Sequence, residues 1–433
     1  MRGPFLTDID SRAAIKGSRD PLGLQSIWTR FGRHVVGNLT TVSTSVPDFT
    51  TLLLGYYFVE RVAERAPDES ELAVFLKWEQ LAAYARAVCQ GDSGFRGTER
   101  VHQNLSKDHR VTLSAERAHQ ILGNQKIYGL WGLYTVPSRT SGMVDGSPPR
   151  LTPETRAFVE RTFLPRFSAA GLRDGRAIEQ RLAEPTSRLD TEKRDRPFLD
   201  AVATAWQRRR PAAERDFYRD HLLFGGPTDP THGRQEALAH LLSESEAEKL
   251  SFSPATVRHL VKRAGKGTGP SQALADRLVR ICHCEALIGP SSALFGFLLH
   301  NDGSSVDAVA TAVRKAWGKR VPNLNPVALE ELKGELGAGE GSAEEAGRWM
   351  RLATAYSEGD YASALRLLLD QNRATMSARG NSAPWVVEEA GVLRVRVPDE
   401  PSRLPTGAEL AEQWRFPYFL ESLRAVSVQL RAN

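Results

Sequence analysis

The sequence predicts a mainly α-helical, multi-domain protein with a candidate winged-helix unit and a small C-terminal β-hairpin. Apolar residues recur at helical spacing through most of the chain. Several helices begin with Ser or Thr followed by Pro, a common helix-start signal. At 433 residues, with 41% hydrophobic and 25% charged residues, the chain has a globular composition and exceeds one ordinary core.

The N-terminal elements follow from these signals. Residues up to about Leu24 are interrupted by Gly and Pro and predict irregular structure. A Ser/Thr-rich run followed by Pro47 predicts the start of a helix, whose apolar residues between Phe49 and Val62 keep helical spacing. A second helix is expected from Glu69 to Val88.

The segment from Ser114 to Phe163 has the outline of a winged helix. We expect a helix from Ser114 to Gly123, a further apolar stretch from Ile127 to Tyr134, and then a short β-ribbon ending near Thr152. The alternative interpretation is that the aromatic residues of this segment simply fill a core. The basic side chains that could contact phosphates, and so position the protein without reading bases, are Arg110, Arg117, Lys126, Arg139 and Arg150.

Four consecutive domains are expected along the chain. A loop rich in Pro, Ser and Gly from Pro137 to Pro149 marks the first boundary, and Thr152 followed by Pro153 opens the next helix. Charged helices follow, and Gly225, Gly226 and Pro227 interrupt them. The expected domains are 1–149, 150–250, 251–370 and 371–433.

The C-terminal third predicts three small motifs. Residues 349–365 predict two antiparallel helices around a Gly-Asp turn, similar to half of a tetratricopeptide repeat, after a hinge of small residues at 334–342. Two apolar runs around Glu389, Ala390 and Gly391 predict a β-hairpin. The last expected element is an amphipathic helix from Tyr418 to Leu430.

The composition favours a cytoplasmic protein. The N-terminus carries acidic residues and lacks an apolar signal region, and the best apolar candidate for a membrane span, Phe49 to Val62, is too short. Three cysteines without a disulfide framework suit a reducing compartment. The net charge of +5 permits nucleic-acid binding without demanding it, and the excess of arginine over lysine also fits a GC-rich genome.

The strongest candidate for a DNA or RNA contact is a pair of basic helices between Pro254 and Ala286. Their glycine-rich connection, Gly265 to Pro270, gives the outline of a helix-turn-helix, and the second helix N-terminus could receive a phosphate oxygen. The alternative is a charged helical hairpin with solvated faces. Six basic residues against Asp276 leave a local excess of five, and they are Arg258, Lys262, Arg263, Lys266, Arg277 and Arg280.

The sequence contains no catalytic or cofactor motif, so we expect a non-enzymatic protein without a cofactor. Gly265 to Thr268 lacks the residue order and the preceding strand of a phosphate-binding loop. Cys282, His283 and Cys284 lack a second ligand pair, and on a helix the two cysteines point about 200° apart, so we expect no metal site. The alternative is a divergent nuclease or hydrolase whose active site assembles from distant residues.

Several blocks, in their chain order, resemble uncharacterised helical proteins encoded in bacterial phage-defence loci. The resemblance implies an accessory subunit of an antiviral defence or DNA-processing complex, with protein partners such as a helicase or nuclease, and it carries over no catalytic residue. An alternative is a pure scaffold that binds only proteins. The blocks are Asp20-Pro21-Leu22-Gly23-Leu24 with Trp28, residues 49–58, residues 129–134, Pro384-Trp385-Val386 and residues 414–423.

Overall fold

The computed structural model describes residues 20–65, 70–207, 209–244, 251–337, 342–380, 382–398 and 403–431, and it is mainly helical, as predicted. The first helices are α1 (Leu24–Arg33), α2 (Val46–Ala63), α3 (Glu71–Gln90), α4 (Thr98–Lys107), α5 (Gln125–Tyr128), α6 (Leu130–Thr140), α7 (Pro153–Thr162), α8 (Leu164–Ala169), α9 (Arg176–Ala183), α10 (Arg196–Ala203) and α11 (Ala212–Tyr218), which continues into a π-helical turn (Arg219–Leu223). The later helices are α12 (Arg234–Glu244), α13 (Pro254–Ala264), α14 (Pro270–Leu298), α15 (Val306–Trp317), α16 (Pro326–Glu330), α17 (Lys333–Leu336), α18 (Ser342–Glu358), α19 (Tyr361–Ala378), α20 (Gly407–Glu412) and α21 (Leu420–Arg431).

Three antiparallel two-stranded sheets accompany the helices in the described residues. The strands are β1 (Arg110–Ser114) with β4 (Thr186–Asp190), β2 (Val144–Asp145) with β3 (Arg150–Leu151), and β5 (Val386–Glu389) with β6 (Val392–Val395). The last pair confirms the predicted C-terminal hairpin, with Glu389 opposite Val392 across the turn.

The chain divides into two compact units that are discontinuous in sequence. Unit 1 comprises Met1–Val35 and Lys249–Tyr418, and unit 2 comprises Val36–Glu248 and Phe419–Asn433. The units therefore differ from the four consecutive domains expected from loop composition. Composition marks the loops but does not reveal that α1 packs on α14, or α21 on α12, because such pairings join distant parts of the chain.

The core of unit 2 is built around α2 and α3. The side chain of Ser45 accepts a hydrogen bond from the amide of Asp48 and caps α2, close to the predicted start. Gly55 lies where α3 crosses: a Cβ atom at this position would be 2.6 Å from the ring of Phe75. The indole N–H of Trp78 donates to the carbonyl of Thr51 at 2.7 Å, so the helix pair is joined by polar as well as apolar contacts.

The prediction of a helix from Ser114 to Gly123 is wrong. Residues 110–114 form strand β1, which pairs with β4, and residues 115–124 form turns. The side chain of Gln80 bonds both the amide and the carbonyl of Ser114, at 3.0 and 2.8 Å. Ser114 therefore ends a strand instead of capping a helix, because its backbone groups are already satisfied by α3.

Because that helix is absent, the winged-helix prediction is also wrong. The expected ribbon is present as β2 and β3, and Thr152 caps α7 through the amide of Thr155, as predicted. However, the ribbon follows one full-length helix, α6, preceded by the single turn α5. Arg150, expected to contact phosphates, forms an ion pair with Glu71 on α3. This region is therefore part of the unit 2 core.

Unit 1 contains the predicted helical hairpin of α18 and α19. Asp360 caps α19 through the amide of Ser363, and Gly359 has a φ of 69°. A Cβ atom on Gly359 would lie 2.1 Å from the carbonyl oxygen of Lys319, so this turn requires glycine. The predicted hinge at 334–342 is only partly described: Gly334 lies in α17, and residues 338–341 are outside the described residues, as are residues 1–19.

Among the described residues, one helix, α14, is long and apolar enough by composition to cross a membrane, and it is a different segment from the one identified in the sequence. Of its most apolar window, 67% is buried inside the protein. That burial is typical of the core helix of a soluble protein, and α14 serves as the central helix of unit 1.

The predicted C-terminal amphipathic helix is confirmed as α21, which belongs to unit 2. Its buried face contains Leu420, Leu423, Val426 and Leu430. Gln429 on the other side of this helix accepts a hydrogen bond from the amide of Val46 at 3.0 Å. The last helix of the chain therefore contributes to the same unit as α2.

Candidate nucleic-acid interface

The predicted basic helix pair is present as α13 and α14, which pack closely against each other in unit 1. Ser253 accepts a hydrogen bond from the amide of Thr256 and caps α13, with Pro254 in the first turn. The face of α13 that packs inward contains Val257, Leu260 and Ala264, all buried. This apolar stripe leaves the charged residues of α13 on the outside.

Three of the predicted basic residues form an exposed group, which we call the outer basic face: Arg258, Lys262 and Lys266. Arg258 and Lys262 are one turn apart on α13, Lys266 follows four residues later in the turn after the helix, and all three side chains are exposed. None of the three forms a hydrogen bond or an ion pair with any residue that the structure describes. Arg263, on a different side of the same helix, is half-buried and is not part of this group.

Two other predicted residues, Arg277 and Arg280, are occupied within unit 1. Both form ion pairs with one carboxylate oxygen of Glu335, and Arg280 also donates to the carbonyl oxygen of Glu331 at 3.2 Å. Arg30 of α1 donates to the backbone carbonyl of Glu335 as well. The structure therefore assigns Arg277 and Arg280 to the packing of α14 against α17 and separates them from the outer basic face.

The polar groups of the turn between α13 and α14 form hydrogen bonds within the helix pair. The hydroxyl of Ser271 donates to the carbonyl of Ala264 at 2.9 Å, and the Ser271 amide donates to Thr268. The expected phosphate contact at this helix N-terminus therefore competes with bonds already made. A helix precedes Gly265, in agreement with the exclusion of a phosphate-binding loop, which requires a preceding strand.

A cavity of about 370 Å³ lies beside the outer basic face, within unit 1. Its walls come from α13, α14, the residues before α16 and the segment around α20. Most of the lining is apolar, with charged and polar groups contributed mainly by the two basic helices. The lining residues are Pro254, Arg258, Val261, Lys262, Val279, Cys282, His283, Glu285, Ala286, Gly289, Pro290, Pro322, Asn323, Leu410, Gln413 and Trp414.

Glu285 supports one wall of this cavity. One carboxylate oxygen accepts the amide of Arg415 at 2.5 Å, and the other accepts the hydroxyl of Tyr418 at 2.8 Å. Burial raises the pKa of Glu285 to about 7, even though these hydrogen bonds and the Phe416 amide favour the charged form. The carboxyl group is therefore occupied in holding the 413–418 segment against α14.

The Cys282-His283-Cys284 segment noted in the sequence lies on α14, and part of it borders the cavity. Cys282 and His283 line the cavity, whereas Cys284 is fully buried on another face of the helix. Burial raises the pKa of the Cys282 thiol to about 12, although Arg258 opposes the shift, and desolvation lowers the pKa of His283. At neutral pH the thiol is therefore protonated and lacks the thiolate character of a nucleophile.

The two predicted contacts in unit 2, Arg117 and Lys126, lie in a different setting. Arg117 is exposed in the turns after β1, and Lys126 is exposed on the single-turn helix α5. The adjacent Ile127 and Tyr128 are 52% and 56% exposed. The Nε of Arg96 donates to the carbonyl of Tyr128 at 2.8 Å. This surface therefore combines basic and aromatic groups.

The sequence identified the basic residues but not the cavity. Part of the signal was present: Pro254, Arg258 and Lys262 share one face of α13, and Val279, Cys282, Ala286 and Pro290 share one face of α14. The wall that includes Trp414 comes from a segment more than a hundred residues further along the chain, and no local pattern indicated it. Comparison with protein-family models, curated proteins and solved structures found no match.

Proposed function

We propose that the chain is a non-enzymatic nucleic-acid-binding subunit that contacts phosphates through the outer basic face. The observation that carries this proposal is the state of Arg258, Lys262 and Lys266: they are exposed at regular spacing and bound to no acidic residue in the described chain. Cationic side chains of this kind release counterions from a phosphate backbone when they bind, which supplies most of the non-specific affinity for DNA or RNA.

The groups around the cavity support a binding role over a chemical one. The Cys282 thiol is held protonated by burial, and Glu285 receives hydrogen bonds from Tyr418 and from backbone amides. Neither is positioned as a free nucleophile or base. Following the resemblance to defence-locus proteins, the proposal includes a cytoplasmic location and work beside protein partners, such as a helicase or nuclease, in a bacterial antiviral or DNA-processing complex.

The proposal is tested by fluorescence anisotropy of the full chain with labelled single-stranded DNA, single-stranded RNA and duplex DNA. Titrations at about 50 and 200 mM salt separate electrostatic binding from other modes, because each neutralised phosphate contributes about 0.7 to 0.9 to the logarithmic salt slope. We expect affinity for at least one of these polymers, and we expect it to fall with salt. No binding of any polymer at either salt concentration contradicts the proposal.

A matched pair of triple variants locates the contact. Replacing Arg258, Lys262 and Lys266 by Ala should lower the salt slope by about 2 to 3 and weaken binding at low salt. The control replaces Lys315, Lys319 and Arg320 by Ala, since these are also exposed basic residues of unit 1 and their removal changes the net charge equally. If both variants lose the same affinity, the effect comes from net charge and the outer basic face is not the contact.

A further inference from the structure

The cavity beside the outer basic face is walled by α13, α14, the residues before α16 and the segment around α20, and it combines cations at one end with an apolar interior. At about 370 Å³ it falls within the range of about 300 to 1,000 Å³ that is typical of small-molecule sites. We propose that it binds a single nucleotide unit, with the phosphate at Arg258 and Lys262 and the base against the apolar wall. This inference goes beyond the proposed function, because a free nucleotide can bind there even if no polymer does.

The phosphate end is defined by two cations that point toward the same space. Arg258 and Lys262 are one helical turn apart on α13, and both line the cavity while remaining exposed to solvent. A guanidinium offers paired donors to two phosphate oxygens, and an ammonium adds a compact charge. The nearby carboxyl of Glu285 is bonded to Tyr418 and Arg415 instead of to these cations, which leaves both available to an anion.

The base end is defined by flat and apolar side chains. Val261, Val279, Ala286 and Pro290 line it from the two helices, and Trp414 lines it from the opposite segment. The ring of Trp414 packs on Tyr418 at 5.5 Å between ring centroids, which helps to hold the indole in place. Aromatic rings are the usual stacking partners of bases that have left a helical stack.

Polar groups in the same lining favour a base over an acyl chain. Asn323 donates its amide N–H to the carbonyl of Ala411 at 2.9 Å, which leaves its side-chain oxygen as an acceptor. Asn323 is an exposed residue of the cavity lining. A hydrocarbon would leave its acceptor oxygen without a donor at a free-energy cost, whereas the edge of a base presents N–H groups.

Isothermal titration calorimetry on the full chain tests the proposal with AMP, GMP, CMP and UMP as probes. Adenosine, inorganic phosphate and decanoate serve as partial ligands that carry only the base, only the anion, or an anion with an acyl chain. We expect at least one mononucleotide to bind more tightly than adenosine, phosphate and decanoate. The proposal is overturned if no mononucleotide binds, or if phosphate or decanoate binds as tightly as the best of them.

Val279→Trp should fill the cavity, and because Val279 is 37% exposed the larger side chain has room to be accommodated without unfolding unit 1. We expect this variant to weaken mononucleotide binding by about tenfold or more, since it blocks both the stacking surface and the base edge. Val279→Ala is the control and should retain binding. Matching circular dichroism and thermal unfolding establish that both variants are folded, and unchanged binding by a folded Val279→Trp overturns the proposal.

Two further measurements distinguish the source of the nucleotide. If Val279→Trp weakens the binding of mononucleotides and of oligonucleotides alike, the cavity binds an unstacked nucleotide of a strand. If it weakens the binding of mononucleotides alone, the ligand is a free nucleotide. Lys266 lies outside the cavity lining, so Lys266→Ala should weaken the binding of oligonucleotides and leave the affinity for mononucleotides unchanged. Failure of the polymer proposal therefore shows in the anisotropy measurements alone, whereas failure of the cavity proposal shows in the mononucleotide titrations.

Discussion

In the described residues, burial raises the pKa of one glutamate in each unit to about 7, Glu79 in unit 2 and Glu285 in unit 1. Glu79 accepts the amide of Leu130 at 2.7 Å and the side-chain amide of Gln125 at 2.8 Å. A Cβ atom on Gly129 would lie 2.7 Å from the Glu79 carboxylate, so no space remains beside it. Glu285 has comparable bonds but borders an open cavity.

The comparison shows that a perturbed pKa alone does not identify a functional site. Burial produces the same shift in a closed structural junction and in the wall of a cavity. What distinguishes the two places is adjoining space and exposed cations: Arg258 and Lys262 stand beside the Glu285 cavity, whereas the Glu79 site is filled by the start of α6. The Glu79 site of unit 2 is therefore closed, whereas the Glu285 site of unit 1 is open.

The largest expected effect is on the buried ion-pair network of unit 2. Arg86 bonds Asp48 at 2.6 Å and Asp92 at 2.8 Å, and both Arg86 and Asp48 are nearly inaccessible to solvent. Arg86→Met leaves Asp48 without its cation and should lower the free energy of unfolding by about 3 to 5 kcal/mol. Arg258→Met, at an exposed and unpaired position, should change it by less than about 0.5 kcal/mol. Urea unfolding of the two variants measures both, and equal losses would contradict the contrast.

The pH dependence of stability gives the next largest effect. Burial raises the pKa values of Glu79 and Glu285 from 4.5 to about 7, so the folded chain holds these protons more tightly than the unfolded chain. This stabilisation is complete below about pH 4.5 and is lost as the pH rises through about 7, by on the order of 3 kcal/mol per group. Urea unfolding of the wild type between pH 5 and 8 should show the fall, and a flat profile would contradict it.

Substitution by glutamine should have different effects on stability at the two glutamates. Glu285→Gln can keep its carbonyl on the Arg415 amide while its NH₂ donates to the hydroxyl of Tyr418, so it should be tolerated and reduce the fall with pH. Glu79→Gln must direct an NH₂ at one of two donors, Leu130 N–H or the Gln125 amide, and should cost about 1 to 3 kcal/mol at pH 5. Unfolding curves of the two variants at pH 5 test this prediction. It is contradicted if Glu285→Gln is less stable than Glu79→Gln.

The smallest expected effect concerns the unit 2 surface. Arg117→Ala together with Lys126→Ala removes two exposed charges and should lower the salt slope for oligonucleotide binding by less than about 1, with little change in stability. Anisotropy with the same labelled strands measures this effect beside the unit 1 triple variant. If the unit 2 pair costs more affinity than Arg258, Lys262 and Lys266 together, the interface lies on unit 2.

The sequence predicted elements whose signals are local. The Ser or Thr caps of α2 and α7, the hairpin of β5 and β6, and the α18–α19 pair around Gly359 each depend on residues within a few positions of one another. The helix expected at 114–123 is absent because Gln80 bonds the backbone of Ser114. The ion pairs of Arg277 and Arg280 were not predicted because their partner Glu335 is more than fifty residues away. The cavity required the same kind of distant information.

The discontinuity of the two units has a consequence for biosynthesis. The core of unit 2 is completed by α21, whose Leu420, Leu423 and Val426 are made only after the unit 1 segment Lys249–Tyr418. Helix α1 is made before the unit 2 segment Val36–Glu248 but packs on α14, and its Arg30 bonds the carbonyl of Glu335, which is made 305 residues later. Neither unit can therefore complete its core until its second segment has been translated, so the first segment of each unit exposes apolar surface until then. A chain shortened before residue 419 loses an element of unit 2, although the cut falls just beyond the end of unit 1.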